Sequence, residues 1–570
     1  MKEPTLSYSS LKKTYFIKNM EALRRENVLA VVCLDRETIN QKIQLSRGDK
    51  FVNGKYLINR QYEPLYQDDP FYQSHQYFNE YLNFKEPVLN LGSALGYGLI
   101  YLLKKSTIPK IYLYERDKSL LKITLTLHDF SEYIESGRLE IVLQEQIKSF
   151  AGKDISAIVP EPRLFLEYKV EFQTISRLLK RGCFAERSAI ILSGALFVLD
   201  YASTLFEMGW DVFEIDESVQ TSDSLMQLFN AINPDLIVKI NLLKDLENFS
   251  GKWTIIEWEI DPTISPVAPI ELTSNSNFFA YTHNAERLAG YRKKGYSKIE
   301  YLPLCSNPKK FYPLDLSVEA KQKFGCDVSF VGSLLRENQE VLIDGLLRSL
   351  KLLAQRSNPN WQKVIDWVNA LRNQSILLVS QKLWIEAFNN LLLSYQLPNE
   401  LQMEGNVLLI STCVDEYLGY LWRRELINSF LPLGIHLWGD MDYEKDFPEN
   451  HRGIADHYLD LPKIYAASKI NLDISRCYQD NIITMRVFDV MACGGFVLAA
   501  RNEALLELFT EDEEVVCYES PDEAVDKAYY YLQEEEEREA IALRAYEKVS
   551  RHHTFENRIK YMLQKAGIKP

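Results

Sequence analysis

The stretch that decides the fold is Arg486–Ala500, RVFDVMACGGFVLAA, inside NLDISRCYQDNIITMRVFDVMACGGFVLAA. Its apolar residues first recur at helical spacing, two glycines then interrupt, and a short strand-like run comes next. The pattern predicts strand, helix, glycine turn and strand, the repeating unit of a parallel sheet. Arg486 and Asp489 stand three residues apart and so share one helical face. Read by residue type alone, they are either a surface ion pair on a helix ending at glycine or two groups aimed at one ligand.

The same alternation runs outward in both directions. Downstream, EVVCY (514–518) predicts one more strand, and EAIALRAYEKVSRHHTFENRIKYMLQKAG closes the chain as helix. Upstream lie INLDIS (470–475), GIHLWGD (434–440) and DVSFVGSL (327–334), with roughly 90 residues of helical pattern inserted between the last two. An earlier series predicts strands at 188–194, 211–216, 235–240, 253–261, 277–283 and 298–304, behind a connecting helix at 172–186. A first series opens with PVLNLG (87–92), a turn GSALGYG (92–98), a helix and KIYLYERD (110–117). Residues 1–85 read as aromatic-rich and irregular, with a strand at VLAVVCLD (28–35) and a loop and helix over 62–82.

The expected organisation is α/β: a Rossmann-like domain at 1–150, a connecting helical segment at 151–187, and twin Rossmann-like domains at 188–322 and 323–570. The last carries the helical insertion at about 340–430. A chain of 570 residues exceeds one ordinary core. Its 46% apolar and 25% charged composition is that of a globular protein. The net charge of −14 argues against a nucleic-acid binder, since phosphate backbones are held by basic surface. Eight scattered cysteines with no CxxC pair argue against a disulfide framework or structural zinc and for a reducing, cytoplasmic setting. No apolar run has the length of a transmembrane helix. The acidic run QEEEEREA (533–540) reads as a solvated helix face.

The residue types around the opening stretch suit a nucleotide. A guanidinium and the N–H groups of a helix start or glycine turn match a diphosphate; a carboxylate matches a ribose diol. Arg486 is the candidate for the first role, Asp489 for the second, and Gly494-Gly495 allows a close backbone approach and a tight exit into the next strand.

IYAASKINLDISR, MRVFDVMACGGFVLAARNEALLELF and the residues after them, through about 565, resemble the C-terminal signature of CgeB-type spore-protein glycosyltransferases, group 1 transferases of GT-B fold. YTHNAERLAGYRKKGYSKIEYLPLCSNPKKFYPL and DVSFVGSLLREN keep the same order, so the resemblance spans about 188–565 apart from the insertion. It implies a hexosyltransferase-like enzyme that moves a sugar from a nucleoside-diphosphate sugar to a glycan, protein or lipid acceptor. It implies that Gly332 makes the turn where donor phosphates meet the backbone and that Ser333 adds a hydroxyl. Gly439 then lies near the base, with Trp438 to stack on it, while Arg486 faces the diphosphate and Asp489 the ribose. Where related transferases carry two glutamates eight residues apart, this chain has Asn481 and Asp489, so the sugar-side position cannot carry charge. On the acceptor side, Gly194 suits a loop near the donor. Asp261 and His283 are candidates to orient or deprotonate an acceptor hydroxyl, against the plainer readings of a loop residue and a satisfied core imidazole. No DxD with a flanking apolar strand is found, and GDMD (439–442) lacks its spacing, so no metal is expected.

LNLGSALGYGLIYLL with IYLYERD after it resembles a methyltransferase-like Rossmann domain, and the region that opens at DDPFYQSHQYFNEYL resembles part of motility-associated flagellin glycosyltransferases. The first resemblance implies a turn made by Gly92, Gly96 and Gly98, with Glu115 accepting from a ribose. Asn90 replaces the acid common before the first glycine. Two readings of this domain stay open: S-adenosylmethionine binding and methyl transfer, or a structural or nucleotide-binding module. A non-catalytic scaffold of surface assembly and a sugar-nucleotide epimerase are the remaining alternatives for the chain.

Overall fold

The structure, a computed structural model, describes residues 5–569 except 48–50, 59–60, 68, 166, 182–184, 194–196, 217–221, 242–250, 261–276, 294–298, 374–380, 398–406, 477–478 and 480. The chain divides into two compact units, Met1–Lys239 with Glu247–Trp253, and Ile240–Leu246 with Thr254–Pro570.

In the first unit, strands β1 (Thr5–Leu6), β2 (Ile43–Arg47), β3 (Val52–Ile58) and β4 (Gln61–Pro64) form an antiparallel meander in chain order. This corrects the irregular reading of that region. The helix α1 (Val28–Arg36) corrects the strand expected at 28–35. Asn27 caps it by accepting from Ala30 N–H, and Ala30 and Leu34 enter the core beside Leu102, Leu121 and Leu139. Next comes a parallel sheet in the order β7-β6-β5-β8, built from β5 (Val88–Leu91), β6 (Ile111–Glu115), β7 (Leu139–Leu143) and β8 (Ala157–Pro160). Every residue of β5 and β6 is buried, as expected for strands covered on both faces. Between them runs α2 (Tyr97–Lys105). A second parallel set joins β9 (Ser188–Ser193) to β10 (Asp211–Asp216) on one side and β11 (Leu236–Ile240) on the other.

In the second unit, β12 (Thr254–Glu259), β13 (Phe278–Thr282) and β14 (Ile299–Tyr301) are parallel and adjacent. The C-terminal sheet is all parallel in the order β16-β15-β17-β18-β19, from β15 (Cys326–Val331), β16 (His436–Trp438), β17 (Ser468–Asp473), β18 (Val497–Ala500) and β19 (Val516–Tyr518). The chain is thus α/β with Rossmann-like parallel sheets. Among the described residues, four α-helices separate β15 from β16: α3 (Arg336–Arg356), α4 (Trp361–Arg372), α5 (Gln381–Ser394) and α6 (Val407–Phe430). They share one core with the sheet, in which Phe330 and Leu472 meet Ile343, Trp361, Trp384 and Leu418. The inserted helices are therefore packed into the same core as the C-terminal sheet rather than forming an appended module.

The opening stretch folds as α7 (Met485–Ala492) and then β18. Val487, Phe488, Val490 and Met491 are buried. Gly494, at φ +72°, is the left-handed residue that ends the helix, and its N–H reaches Met491 O. The C-terminal helix α8 (Phe555–Lys565) returns to β12–β14. There Phe555 packs on Trp258, Tyr561 bonds Glu300, and Arg558 donates to Pro303 O and Leu304 O.

Candidate nucleotide site

The carboxyl edge of the C-terminal sheet gathers three segments: the turn after β15, the turn after β17, and the start of α7. Arg486, the second residue of α7, joins them. Its Nε donates to Val331 O at 2.8 Å, its Nη1 pairs with Asp473 at the end of β17, and its guanidinium lies 4.9 Å from the centre of the Phe330 ring. Asp489 is not its ion-pair partner, so the alternative reading of the two as a surface i,i+3 bridge does not hold. Asp473 also accepts from Thr484 Oγ1 at 2.8 Å, so the residue before α7 spends its hydroxyl there instead of capping the helix. Among the described residues Arg486 Nη2 has no acceptor, and it lies 3.1 Å from where a Cβ on Gly332 would stand.

Gly332 forms the turn after β15, its N–H bonded to Trp438 O at 2.9 Å. A Cβ on Gly439 would sit 2.1 Å from Gly332 O, so the two strand ends touch backbone to backbone. Ser333, next along, is partly exposed. Among the described residues neither the N–H of Ser333 nor that of Leu334 has an acceptor. The start of α3 is closed differently: Leu335 N–H and Glu337 N–H donate to the carboxylates of Asp440 and Asp442, and Arg336 pairs with Asp446. The GDMD cluster is therefore a helix cap. Among the described residues no group of three or more His, Cys, Asp or Glu is arranged to hold a metal ion.

Asp489, one turn further along α7, is 2% exposed and accepts from Ser306 Oγ at 2.6 Å. Ser306 belongs to the segment after β14, where its N–H bonds His553 O and its carbonyl accepts from Phe555 N–H. Asn481 accepts from Ala504 N–H at 2.7 Å. Trp438 is buried on Phe324, ring centres 5.6 Å apart, so its indole face is spent inside the domain rather than open for a base.

Gly494 and Gly495 lie at the far end of α7, about 12 Å of helix from Arg486. A Cβ on Gly495 would meet Tyr465 O at 2.8 Å and Val490 Cγ1 at 2.9 Å. A helix joining parallel strands runs opposite to them, which puts the pair at the amino edge of the sheet. Its glycines serve the helix end and close packing, and the expectation that they line the ligand is corrected.

Of the acceptor-side candidates, Gly194 and Asp261 fall outside the described residues. His283 is buried at the end of β13, its Nδ1 2.9 Å from Glu259 O. Glu259, at the end of β12, accepts from Thr282 Oγ1 at 2.8 Å and from Tyr291 OH at 2.9 Å. Sequence reasoning passed over Glu259 and Asp473. Asp473 was marked only as the acid of the predicted strand 470–475, and Glu259 stood two residues before Asp261 in the predicted strand 253–261.

Gly92 and Gly96, at φ +85° and +84°, make the turn after β5. Gly98 is inside α2, where a Cβ would strike Phe78 at 2.3 Å; it is a packing residue, not a turn residue. Glu115 is fully buried and accepts from Ser93 N–H and Oγ, both at 2.7 Å, from Asp117 N–H at 2.8 Å, and from Tyr168 OH. Burial pushes its carboxyl up to about 7 even against these donors. Glu161, just past β8, is also buried, and desolvation, then the Glu115 charge, pushes it up to about 8. Its Oε2 lies 3.1 Å from where a Cβ on Gly98 would stand.

Residues 423–564 match a family model described as glycosyl transferase-like. No curated protein is matched by the sequence. Among solved structures the chain is similar to a glycosyltransferase from Rickettsia africae, with 11% identity over 67% of this chain and 97% of that one and a TM-score of 0.38. It is similar to sucrose-phosphate synthase from Thermosynechococcus elongatus, with 12% identity, 66% and 98% coverage and a TM-score of 0.35. It is also similar to HepE from Anabaena in complex with UDP-glucose, with 12% identity, 66% and 100% coverage and a TM-score of 0.36.

Proposed function

We propose that the protein is a glycosyltransferase that binds a nucleoside-diphosphate sugar at the carboxyl edge of its C-terminal sheet and moves the sugar to an acceptor hydroxyl. The glycosyl transferase-like match over 423–564 supports sugar transfer. The observation that carries the reading is Arg486: a guanidinium fixed by Val331 O and Asp473, with Nη2 left over beside the Gly332 turn.

In this reading Nη2, the uncapped start of α7 and the N–H groups of Ser333 and Leu334 receive the diphosphate. Their dipoles stabilise the charge that grows on the leaving nucleoside diphosphate as the glycosidic bond to it breaks. Because these donors are fixed before the ligand arrives, little reorganisation accompanies that charge. Asp489 accepts from the ribose diol after Ser306 yields its oxygen. The acceptor hydroxyl is attributed to the β12–β13 end, with His283 beside Glu259. The domain limits at 150, 187 and 322 are retained as part of this proposal.

Thermal-shift titration tests it. Uridine or guanosine diphosphate at 100 times its Kd adds about 2.7 kcal/mol of stability. Arg486→Ala alone leaves a buried carboxylate unpaired, at a cost of about 3–5 kcal/mol, so it is compared in an Asp473→Asn background. The nucleotide response is expected to vanish in Arg486→Ala/Asp473→Asn and to persist in Asp473→Asn; an undiminished response in the double variant rejects the site.

A further inference from the structure

Resting on that reading of the nucleotide site, we propose that Arg423, on the last helix of the insertion, is its positioning residue, the group that sets the two ligand-facing turns relative to each other. Arg423 is buried in α6. Its Nη1 donates to Ser333 O at 2.6 Å and its Nη2 to Ile474 O at 3.3 Å, so one guanidinium spans the turn after β15 and the turn after β17. It also lies 5.6 Å from the Phe330 ring, which Arg486 approaches at 4.9 Å.

Peptide geometry gives this bridge a consequence for the ligand. In a trans peptide the carbonyl and the next N–H point to opposite sides. Arg486 holds Val331 O, and the next N–H, that of Gly332, goes to Trp438 O. Arg423 holds Ser333 O in the same way, and the next N–H is that of Leu334, one of the two donors with no acceptor among the described residues. Without Arg423 that peptide is free to turn, and the Leu334 donor loses its fixed direction. The second contact, to Ile474 O, ties the same guanidinium to the strand end that carries Asp473, the partner of Arg486.

Two further contacts keep α6 in register with the β17 turn. Glu416 pairs with Arg476, and Gly419 leaves room for the Arg476 side chain, whose Cβ would lie 3.4 Å from a Cβ at that glycine. A planar fork is required to reach two carbonyls at once; a lysine ammonium is a point donor on a flexible stem and cannot hold both with the same geometry.

The test is the Kd of the full-length protein for uridine diphosphate and guanosine diphosphate, measured by calorimetry beside the Tm without ligand. The variants are Arg423→Gln, Arg423→Lys and Leu418→Ala, the last truncating a buried side chain of α6 in the shared core that donates no hydrogen bond to either turn. Arg423→Gln is expected to weaken the nucleotide at least tenfold and Arg423→Lys three- to tenfold. Leu418→Ala is expected to lower Tm comparably while leaving Kd within twofold. Wild-type Kd in Arg423→Lys or Arg423→Gln overturns the proposal, as does a Leu418→Ala variant that loses affinity as Arg423→Gln does. A wild-type chain that binds neither nucleotide fails in a different arm, and it removes the nucleotide site together with the role assigned to Arg423.

Discussion

Arg486 is held on three sides before any ligand arrives, by a carbonyl, a carboxylate and a ring face. Asp489 is equally committed, but to a group that a ligand can replace. Its Oδ1 takes the Ser306 hydroxyl at 2.6 Å, and a ribose diol that uses the same oxygen must compete with it. Ser306→Ala should therefore lower unliganded stability by about 1 kcal/mol and tighten uridine or guanosine diphosphate severalfold. The gain should disappear with the 2′,3′-dideoxy nucleotide, which has no diol; equal tightening of both nucleotides would mean that Asp489 does not read the ribose. Gly439 illustrates a different constraint. An added Cβ would meet Gly332 O at 2.1 Å and Tyr443 Cε2 at 2.8 Å, and the first of these is backbone. Gly439→Ala is expected to cost at least about 2 kcal/mol, read as a lower urea midpoint at unchanged slope, and to abolish the nucleotide response, because the displaced turn is the one that offers the Ser333 and Leu334 donors.

At the scale of elements, the parallel strands were legible because a strand buried on both faces is a short apolar run between turn residues. SAIILSG, DVFEID and DVSFVGSL needed no tertiary information. VLAVVCLD carries the same composition and is a helix, since Asn27 caps it and its neighbours in the core accept Ala30 and Leu34. Its outer side keeps Val28, Leu29 and Val32 exposed, so no helical period separates an apolar face from a polar one. The antiparallel strands β2–β4 are alternating and polar, which hid them. Asp473 was visible as a strand-end acid and Glu259 as an acid two residues before Asp261, but only three-dimensional contact shows that one holds Arg486 and the other lies beside His283. In the sheet of β5–β8, Glu115 and Glu161 keep their protons to about pH 7 and 8, against an ordinary glutamate value of 4.5. The folded state therefore binds more protons than the unfolded chain across that interval, and stability falls as pH rises from about 4.5 to 8. The slope is at most about 1.4 kcal/mol per pH unit for each group. Glu161→Gln should flatten the decline in urea-unfolding free energy between pH 6 and 8; an unchanged slope would mean that Glu161 ionises in the folded protein at no cost.

At the scale of the whole chain, three helices leave a sheet's carboxyl edge through turns that sequence reasoning marked for a nucleotide, and their starts differ in what occupies them. At α2, Glu161 lies against Gly98 while Ser93 and Tyr168 occupy the Glu115 oxygens that a ribose would need. At α3, the carboxylates of Asp440 and Asp442 take the first N–H groups. At α7, no side chain among the described residues caps the helix, and a guanidinium stands beside it. An anion entering α3 would have to displace two carboxylates and meet their charge, and a nucleoside entering α2 would have to break the bonds that stabilise a buried acid. Calorimetry should accordingly find one nucleoside diphosphate per chain and no heat from S-adenosylmethionine. Arg486→Ala/Asp473→Asn should remove the nucleotide heat, whereas Tyr168→Phe, far from α7 in sequence and in the other compact unit, should leave it unchanged. A second nucleotide equivalent per chain, or a heat of S-adenosylmethionine binding that Glu115→Ala abolishes, would mean that the Ser93 and Tyr168 contacts open to admit a ligand and that the amino-terminal sheet carries a site of its own.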